Sequence, residues 1–380
     1  MKLRLKIAAA KAIRTALRAI YAPIKLLPTQ NKITLISRQQ DSPSLDFEVL
    51  MEELRREFPG WKIEALCYEF HSSMRKKLGY VCHVVTQMVH ISRSRLVVLD
   101  TYCIPVSVLK HKESLRVIQM WHALGNLKKF GYSILDVGEG ASSGIARTMH
   151  MHANYDAVLT SSLASAPSFA QAFDVPLSAM RVISLPRTDV LRDSHYMATT
   201  RARLIAEYPE LSGSRNVLFA PTFQKGTQFE SAQLSEILSR SGYHLIAKPH
   251  PVAVTHDDAE AQRYRSHSTF EFLSVANYVV TDYSSIIFEA GVAGIPIAIF
   301  APNFEQYIKE RDFYIDFAAE VPGPIARTLP QLVEQLDSIS SSDSELHAFT
   351  KKYVNLPTGH TSTQELVGLC KELIANAPTP

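Results

Sequence analysis

Short apolar runs that stop at a polar or proline-bearing turn recur along this chain, with amphipathic stretches between them. KITLIS is followed by the helix-like DFEVLMEELRREF, then come WKIEALCYEF, LVVLD, RVIQMW, AVLTSS and RVISLP. After Pro186 and a polar helical segment the rhythm restarts with NVLFAPT, YHLIAKPHP, YVVTDYSS and PIAIF. Nearly continuous Val/Ile/Leu runs denote strands buried on both faces, and their alternation with amphipathic helices denotes parallel sheets. The expectation is an α/β chain with two Rossmann-like lobes, residues 29–190 and 191–380, preceded by a helix over 1–28. In such sheets ligands bind beyond the carboxyl ends of the strands, so the residues just after each run are the candidates for function.

The amino-terminal segment follows a different rule. Leu3, Ala10, Leu17 and Ile24 recur every seven residues beside Ile13, Ile20 and Leu27, and Arg4, Lys11, Arg18 and Lys25 recur likewise. Residues 1–40 hold nine cations and no acid, so the formal charge of +3 for the whole chain leaves the remainder net acidic. A basic amphipathic helix of this kind is suited to an anionic membrane surface or to docking on its own protein. Lys11, Arg14 and Arg18 interrupt any run long enough to span a bilayer, and no clean apolar stretch precedes a signal cleavage site. The confinement of basicity to one segment argues against a nucleic-acid-binding surface. Cys67, Cys82, Cys103 and Cys370 lack ligand or disulfide spacing, which points to a reduced, cytoplasmic protein.

Four strand ends carry chemistry. Trp121-His122 follows RVIQM, Pro221-Thr222 follows NVLFA, Lys248-Pro249-His250-Pro251 follows YHLIA, and Thr281-Asp282-Tyr283-Ser284-Ser285 follows YVV. An imidazole at a strand end can move a proton near neutral pH, and the prolines around His250 stiffen its presentation. Asp282, Ser284 and Ser285 open the helical run that contains Glu289, where a cap or a phosphate is accommodated. Lys248 and Arg187 are cations that could contact such a phosphate; a local ion pair of Arg187 with Asp189 is the alternative. The remaining histidines show no metal-ligand spacing. No acidic cluster defines a metal site, so magnesium would enter only with a pyrophosphate.

Taken in order, QMWHALGNLKKFG, SLPRTDVL, VLFAPTF, IAKPHP, VVTDYSSIIFEAGVAGIPIAIF and RDFYIDFAAEVPGP resemble the CDP-glycerol glycerophosphotransferase family of teichoic acid primases and polymerases. The resemblance covers most of the chain after Lys32. It implies a GT-B-like architecture, a CDP-polyol donor held by the carboxyl-terminal lobe, a lipid-linked acceptor, and transfer of glycerol or ribitol phosphate with release of CMP at the inner face of the cell membrane. By position it makes His122 and His250 the two essential histidines and Thr222, Ser284 and Ser285 donor-phosphate contacts; His122 is the favoured base and His250 the donor-side phosphate ligand or leaving-group partner, with the exchange of these two roles left open. It leaves Asp282 and Glu289 to organise the donor pocket. Two departures stand out: Ala123-Leu124 replaces the usual Gly-Thr, and Phe223-Gln224 replaces Trp-Arg. A nucleotide-sugar glycosyltransferase and a non-catalytic nucleotide-binding scaffold are the competing readings, since a fold alone permits many chemistries.

Overall fold

The computed structural model describes residues 2–69, 74–138, 140–213, 215–222, 224, 231–249, 258–339 and 344–379. It contains two doubly wound α/β units, one made of residues 1–123, 129–187 and 355–380, the other of 124–128 and 188–354.

The first unit is built on strands β1 (Lys32–Ser37), β2 (Lys62–Cys67), β3 (Leu96–Leu99), β4 (Arg116–Gln119), β5 (Ala157–Thr160) and β6 (Met180–Val182). They form one parallel sheet in the order β2-β1-β3-β4-β5-β6. Every residue of β1, β3 and β5 is buried, including the polar Lys32, Thr34, Ser37 and Thr160. The order reverses between β1 and β3, which makes Ser37 and Asp100 the residues at the switch point.

The helices of this unit are α1 (Lys2–Ile24), α2 (Leu45–Glu57), α3 (Met74–Arg93), α4 (Ile104–Val108), α5 (Ser143–Thr148) and α6 (Ala166–Phe173), and the unit ends at the first residue of α7 (Arg187–Arg192). α2 shows the local logic. Ser44 caps it by accepting the Phe47 N–H, and Phe47, Leu50, Met51 and Leu54 line one buried stripe. Each of these side chains contributes about 1.5–3 kcal/mol on burial. Gly60, at φ +79°, turns the chain toward β2.

α1 packs on α3, α4 and α5, so it is part of this unit rather than a separate element. Ala10 and Tyr21 are buried, and Leu17 and Ile24 pack into the cluster of Tyr80, Val84 and Met88. At Gly144 a Cβ would lie 2.6 Å from Ile7 Cδ1, so the end of the Ile7 side chain sits directly over this glycine. Arg14 donates to Thr148 O at 2.9 Å and Tyr21 Oη lies 3.1 Å from His111 Nδ1. The stripe through Ala10, Leu17 and Ile24 is therefore the docked face. Leu5, Ile13 and Ile20 stay 64%, 53% and 44% exposed. Among the described residues no helix is long and apolar enough to cross a membrane.

The second unit repeats the topology with β7 (Arg215–Phe219), β8 (Tyr243–Ala247), β9 (Tyr278–Thr281), β10 (Ile297–Phe300) and β11 (Ile325–Ala326), in the order β11-β10-β9-β7-β8, all parallel. Its reversal lies between β7 and β9, whose strand ends lead into Thr222 and Asp282. Val217, Phe219, Leu245, Val280 and Ala298 form its core with the helices Ser231–Arg240 and Leu329–Ser338.

The division departs from the expected one at three places. Residues 1–28 are not a region apart, because α1 belongs to the first unit. The second lobe does not run to residue 380: the helix Ser362–Ala375 buries Leu366, Leu369, Cys370 and Leu373 and packs on α2, while Asn355 N donates to Ser161 O at 2.6 Å. Residues 124–128 leave the first unit for the second. An amphipathic terminal helix can cover either of two similar sheets, and periodicity does not say which.

Candidate functional site

His122 follows β4 by way of Trp121, whose φ of +60° places a bulky residue in the left-handed region. Such a conformation persists only where its surroundings enforce it. Here the Trp121 N–H donates to Gln119 Oε1 at 2.9 Å, and the indole stacks on Phe130 (centroids 4.8 Å) and meets the Phe173 edge. The turn sets the partly buried His122 ring with Nδ1 2.9 Å from the carbonyl oxygen of Asp100. A carbonyl only accepts, so Nδ1 carries the hydrogen, and in the neutral ring Nε2 holds the lone pair. Burial is the main force that lowers the His122 pKa to about 4, with the Arg187 cation acting in the same direction; the Asp100 carbonyl and the Asp46 charge oppose it.

Arg187 is committed to Asp46. Its backbone N–H donates to Asp46 Oδ1 at 2.8 Å, and its Nε (2.8 Å) and Nη2 donate to Oδ2. Asp46 is 2% exposed, so this is a buried ion pair that ties the first turn of α2 to the start of α7. Asp100, at the switch point, is 3% exposed, and burial pushes its carboxyl up to about 7 against hydrogen bonds from Ser37 and Thr101 that favour the ionised form. Neither acid was singled out from the sequence. The signal for Asp100 was present, since LVVLD ends an apolar run in an acid, whereas Asp46 reads as an ordinary first-turn helix acid.

In the second unit, Asp282 occupies the switch point at 5% exposure. Its Oδ1 accepts the backbone N–H groups of Thr222 (2.7 Å) and Tyr283 (2.6 Å), and its Oδ2 accepts Gln224 Nε2 (2.9 Å). Gln224 Oε1 in turn accepts from Asn303 Nδ2 at 2.6 Å, and Tyr283 stacks on Tyr307 at 3.8 Å. Burial raises the Asp282 pKa while the Thr222 hydrogen bond opposes it. The carboxylate thus fixes the Pro221-Thr222 turn in place. Lys128 Nζ lies 3.4 Å from Thr222 Oγ1.

Ser284 and Ser285 are partly exposed at the start of the helix Ile286–Val292. Ser284 Oγ accepts the Ile286 N–H at 3.5 Å, and the Ser285 side chain makes no cap bond. Glu289 is buried, at 4% exposure. Lys248 does not extend into solvent: its Nζ donates to the carbonyls of Tyr264 (2.8 Å) and His267 (2.7 Å), and it lies 5.5 Å from the Phe272 ring centroid. His250 lies outside the described residues. The structure thus brings together Thr222 and Asp282 directly, and gives Arg187 and Lys248 bracing contacts.

A neutral imidazole with a defined acceptor nitrogen, set at the end of a parallel strand, is equipped to take a proton from a hydroxyl. Hydroxyls grouped at a second switch point are equipped to bind phosphate oxygens. The family model described as CDP-Glycerol:Poly(glycerophosphate) glycerophosphotransferase matches residues 20–367. The chain is 32% identical over 352 residues to the teichoic acid ribitol-phosphate primase of Bacillus spizizenii, covering 89% of this chain and 90% of that one. It is 25% identical over 356 residues to a teichoic acid glycerol-phosphate primase of the same organism, covering 89% of each. The fold is shared with a solved structure of the wall teichoic acid polymerase TagF, with a TM-score of 0.73, 17% identity and coverage of 99% of this chain and 98% of that one.

Proposed function

Since the chain belongs to the CDP-glycerol:poly(glycerophosphate) glycerophosphotransferase family, we propose that it is a primase of teichoic acid synthesis that transfers ribitol phosphate from CDP-ribitol to a lipid-linked acceptor. The choice of polyol and of a single transfer follows the relative at 32% identity, a ribitol-phosphate primase of matching length. In the reaction, the acceptor hydroxyl loses its proton to Nε2 of His122, and its oxygen attacks the phosphorus that bears the polyol. The new P–O bond forms as the bond to the bridging oxygen breaks, and CMP leaves with that oxygen and its electron pair. Phosphoryl transfer of this type rests on positioning and on stabilising charge at the phosphoryl oxygens. Thr222, Ser284 and Ser285 hold the donor phosphates, and His250 serves the leaving group. Asp282 and Glu289 organise the pocket around them. Arg187 and Lys248 act as positioning residues.

The observation that carries this reading is the Nδ1 contact of His122 with the Asp100 carbonyl, which leaves Nε2 as the proton acceptor. Leu5, Ile13 and Ile20, together with exposed Arg4, Lys6 and Lys11, provide α1 with a face suited to the anionic inner surface of the cell membrane, where a lipid-linked acceptor resides. The test is a panel of CDP-ribitol, CDP-glycerol and nucleotide sugars, each supplied with a lipid-linked acceptor of proven competence. CMP release with CDP-ribitol and a mass increase of one ribitol phosphate are expected, and His122→Asn lowers turnover at least about 100-fold. Nucleotide release from a sugar donor alone, or full turnover by His122→Asn, would refute the reading.

A further inference from the structure

The second unit poses an electrostatic problem. Asp282 places a buried carboxylate at the switch point where the donor phosphates would bind, and like charges oppose each other there. The helix Ile286–Val292 has only seven residues, too short for much compensation from its dipole. Lys248, the cation that the strand-end position suggests, is held by the carbonyls of Tyr264 and His267.

A different lysine is delivered to this place. Directly after His122 and Ala123 the chain joins the second unit for residues 124–128. This short piece is fitted closely: Leu124 and Leu127 are buried at 0% and 3% exposure. A Cβ at Gly125 would lie 2.5 Å from Phe288 Cζ, so no other residue fits without moving that ring. Leu127 O accepts the Tyr314 N–H at 2.9 Å, and Lys128 forms an antiparallel bridge with Phe313. The piece ends by setting Lys128 Nζ beside Thr222 Oγ1, the hydroxyl whose own backbone N–H is held by Asp282.

We propose that Lys128 is the cation of the donor site, binding the diphosphate of the CDP-activated substrate together with the Thr222 hydroxyl. The inference rests on the donor reading given above and adds to it a residue from the segment that follows the base. Lys128 offsets the Asp282 charge before the donor binds and turns to the phosphates when they arrive, as a flexible ammonium with three donors can. The electrostatic influence of Lys128 already reaches Asp282, where it favours the ionised carboxylate.

The experiment measures CDP and CMP binding by calorimetry to the full-length protein, to Lys128→Gln and to Lys128→Arg, with thermal unfolding of each as a check on folding. Losing one charge-assisted hydrogen bond weakens CDP binding by roughly 10- to 100-fold. CMP, with one phosphate fewer, loses less, so the ratio of the two affinities falls. Lys128→Arg restores most of that ratio, which a purely structural lysine would leave untouched in all three proteins. Unchanged CDP affinity in Lys128→Gln, or equal losses for CDP and CMP, overturns the inference. Failure of the unmodified protein to bind CDP at all would instead refute the donor reading on which it rests. If Lys128→Gln unfolds, Lys128→Met is measured in its place: a lowered CDP-to-CMP ratio in a folded Lys128→Met protein supports the assignment, and an unchanged ratio there, or a collapsed ratio in a folded Lys128→Arg protein, counts against it.

Discussion

With His122 as the proposed base, acidification should leave its ring neutral well below the pH at which an ordinary histidine is protonated. Burial and the Arg187 charge hold His122 at about 4. An unperturbed imidazole at about 6.5 would be only ~10% neutral at pH 5.5, whereas one at about 4 stays roughly 97% neutral. Since kcat/KM reports the free enzyme, its acidic limb should lie near pH 4, and the fall between pH 7.5 and 5.5 should be less than about 1.5-fold rather than ~10-fold. The limb in kcat reports the complex. There the phosphates of donor and acceptor favour the imidazolium, so that limb should sit at least about one pH unit higher. The assay is initial-rate CMP release from pH 4.5 to 9, with enzyme preincubated at each pH and then assayed at pH 7.5 to separate titration from unfolding. Asp100 titrates nearby at about 7, so the series is repeated in Asp100→Asn. A kcat/KM limb at pH 6.5 or above in both proteins, or a rate that rises as the pH falls, would refute the assignment of His122 as the base.

Asp46→Asn should destabilise the first unit by about 3–5 kcal/mol, or roughly 6–20 °C in Tm, because it leaves Arg187 without its buried counter-ion. The double substitution Asp46→Leu with Arg187→Met should recover most of this in thermal unfolding, and equal losses in single and double variants would show that the pair is not coupled. Asp100→Asn should stabilise the protein at pH 8 by at most about 4 kcal/mol and leave it unchanged at pH 4. The sign follows from a folded pKa raised to about 7: above that value the native acid is ionised and buried at a cost, and at pH 4 the native group is protonated like its neutral replacement. Denaturant titrations at the two pH values test this. On α1, Ile13→Ser with Ile20→Ser should lower affinity for vesicles containing anionic lipid at least about tenfold at unchanged Tm, whereas Leu17→Ser should lower Tm; vesicle binding unaffected by the first pair would remove the membrane assignment.

Much of the site was readable because strand ends are readable. The runs RVIQM, NVLFA and YVV stop at His122, Thr222 and Asp282, and in a parallel sheet the residue after the strand is the one presented at the carboxyl edge. The side-chain partners were not readable in the same way. Arg187 stands two positions from Asp189 in sequence, whereas the pairing the structure displays with Asp46 spans 141 positions. Lys248 followed its strand as a phosphate ligand would, and it turned back to two carbonyls. Lys128 was visible as part of a polar run, but its place beside Thr222 depends on a five-residue piece that changes units.

The division reflects the range of the forces involved. Apolar periodicity, caps and turn residues act over a few positions, so the sequence by itself determined the strands, their buried character, the two α/β halves and the amphipathic amino-terminal helix. Which face of that helix docks, which sheet the terminal helix Ser362–Ala375 covers, and which acid meets which cation depend on surfaces and charges far apart in the chain. Only the folded structure decides these, because a buried charge accepts whichever partner the packing supplies, and a similar apolar stripe can be satisfied by more than one neighbour.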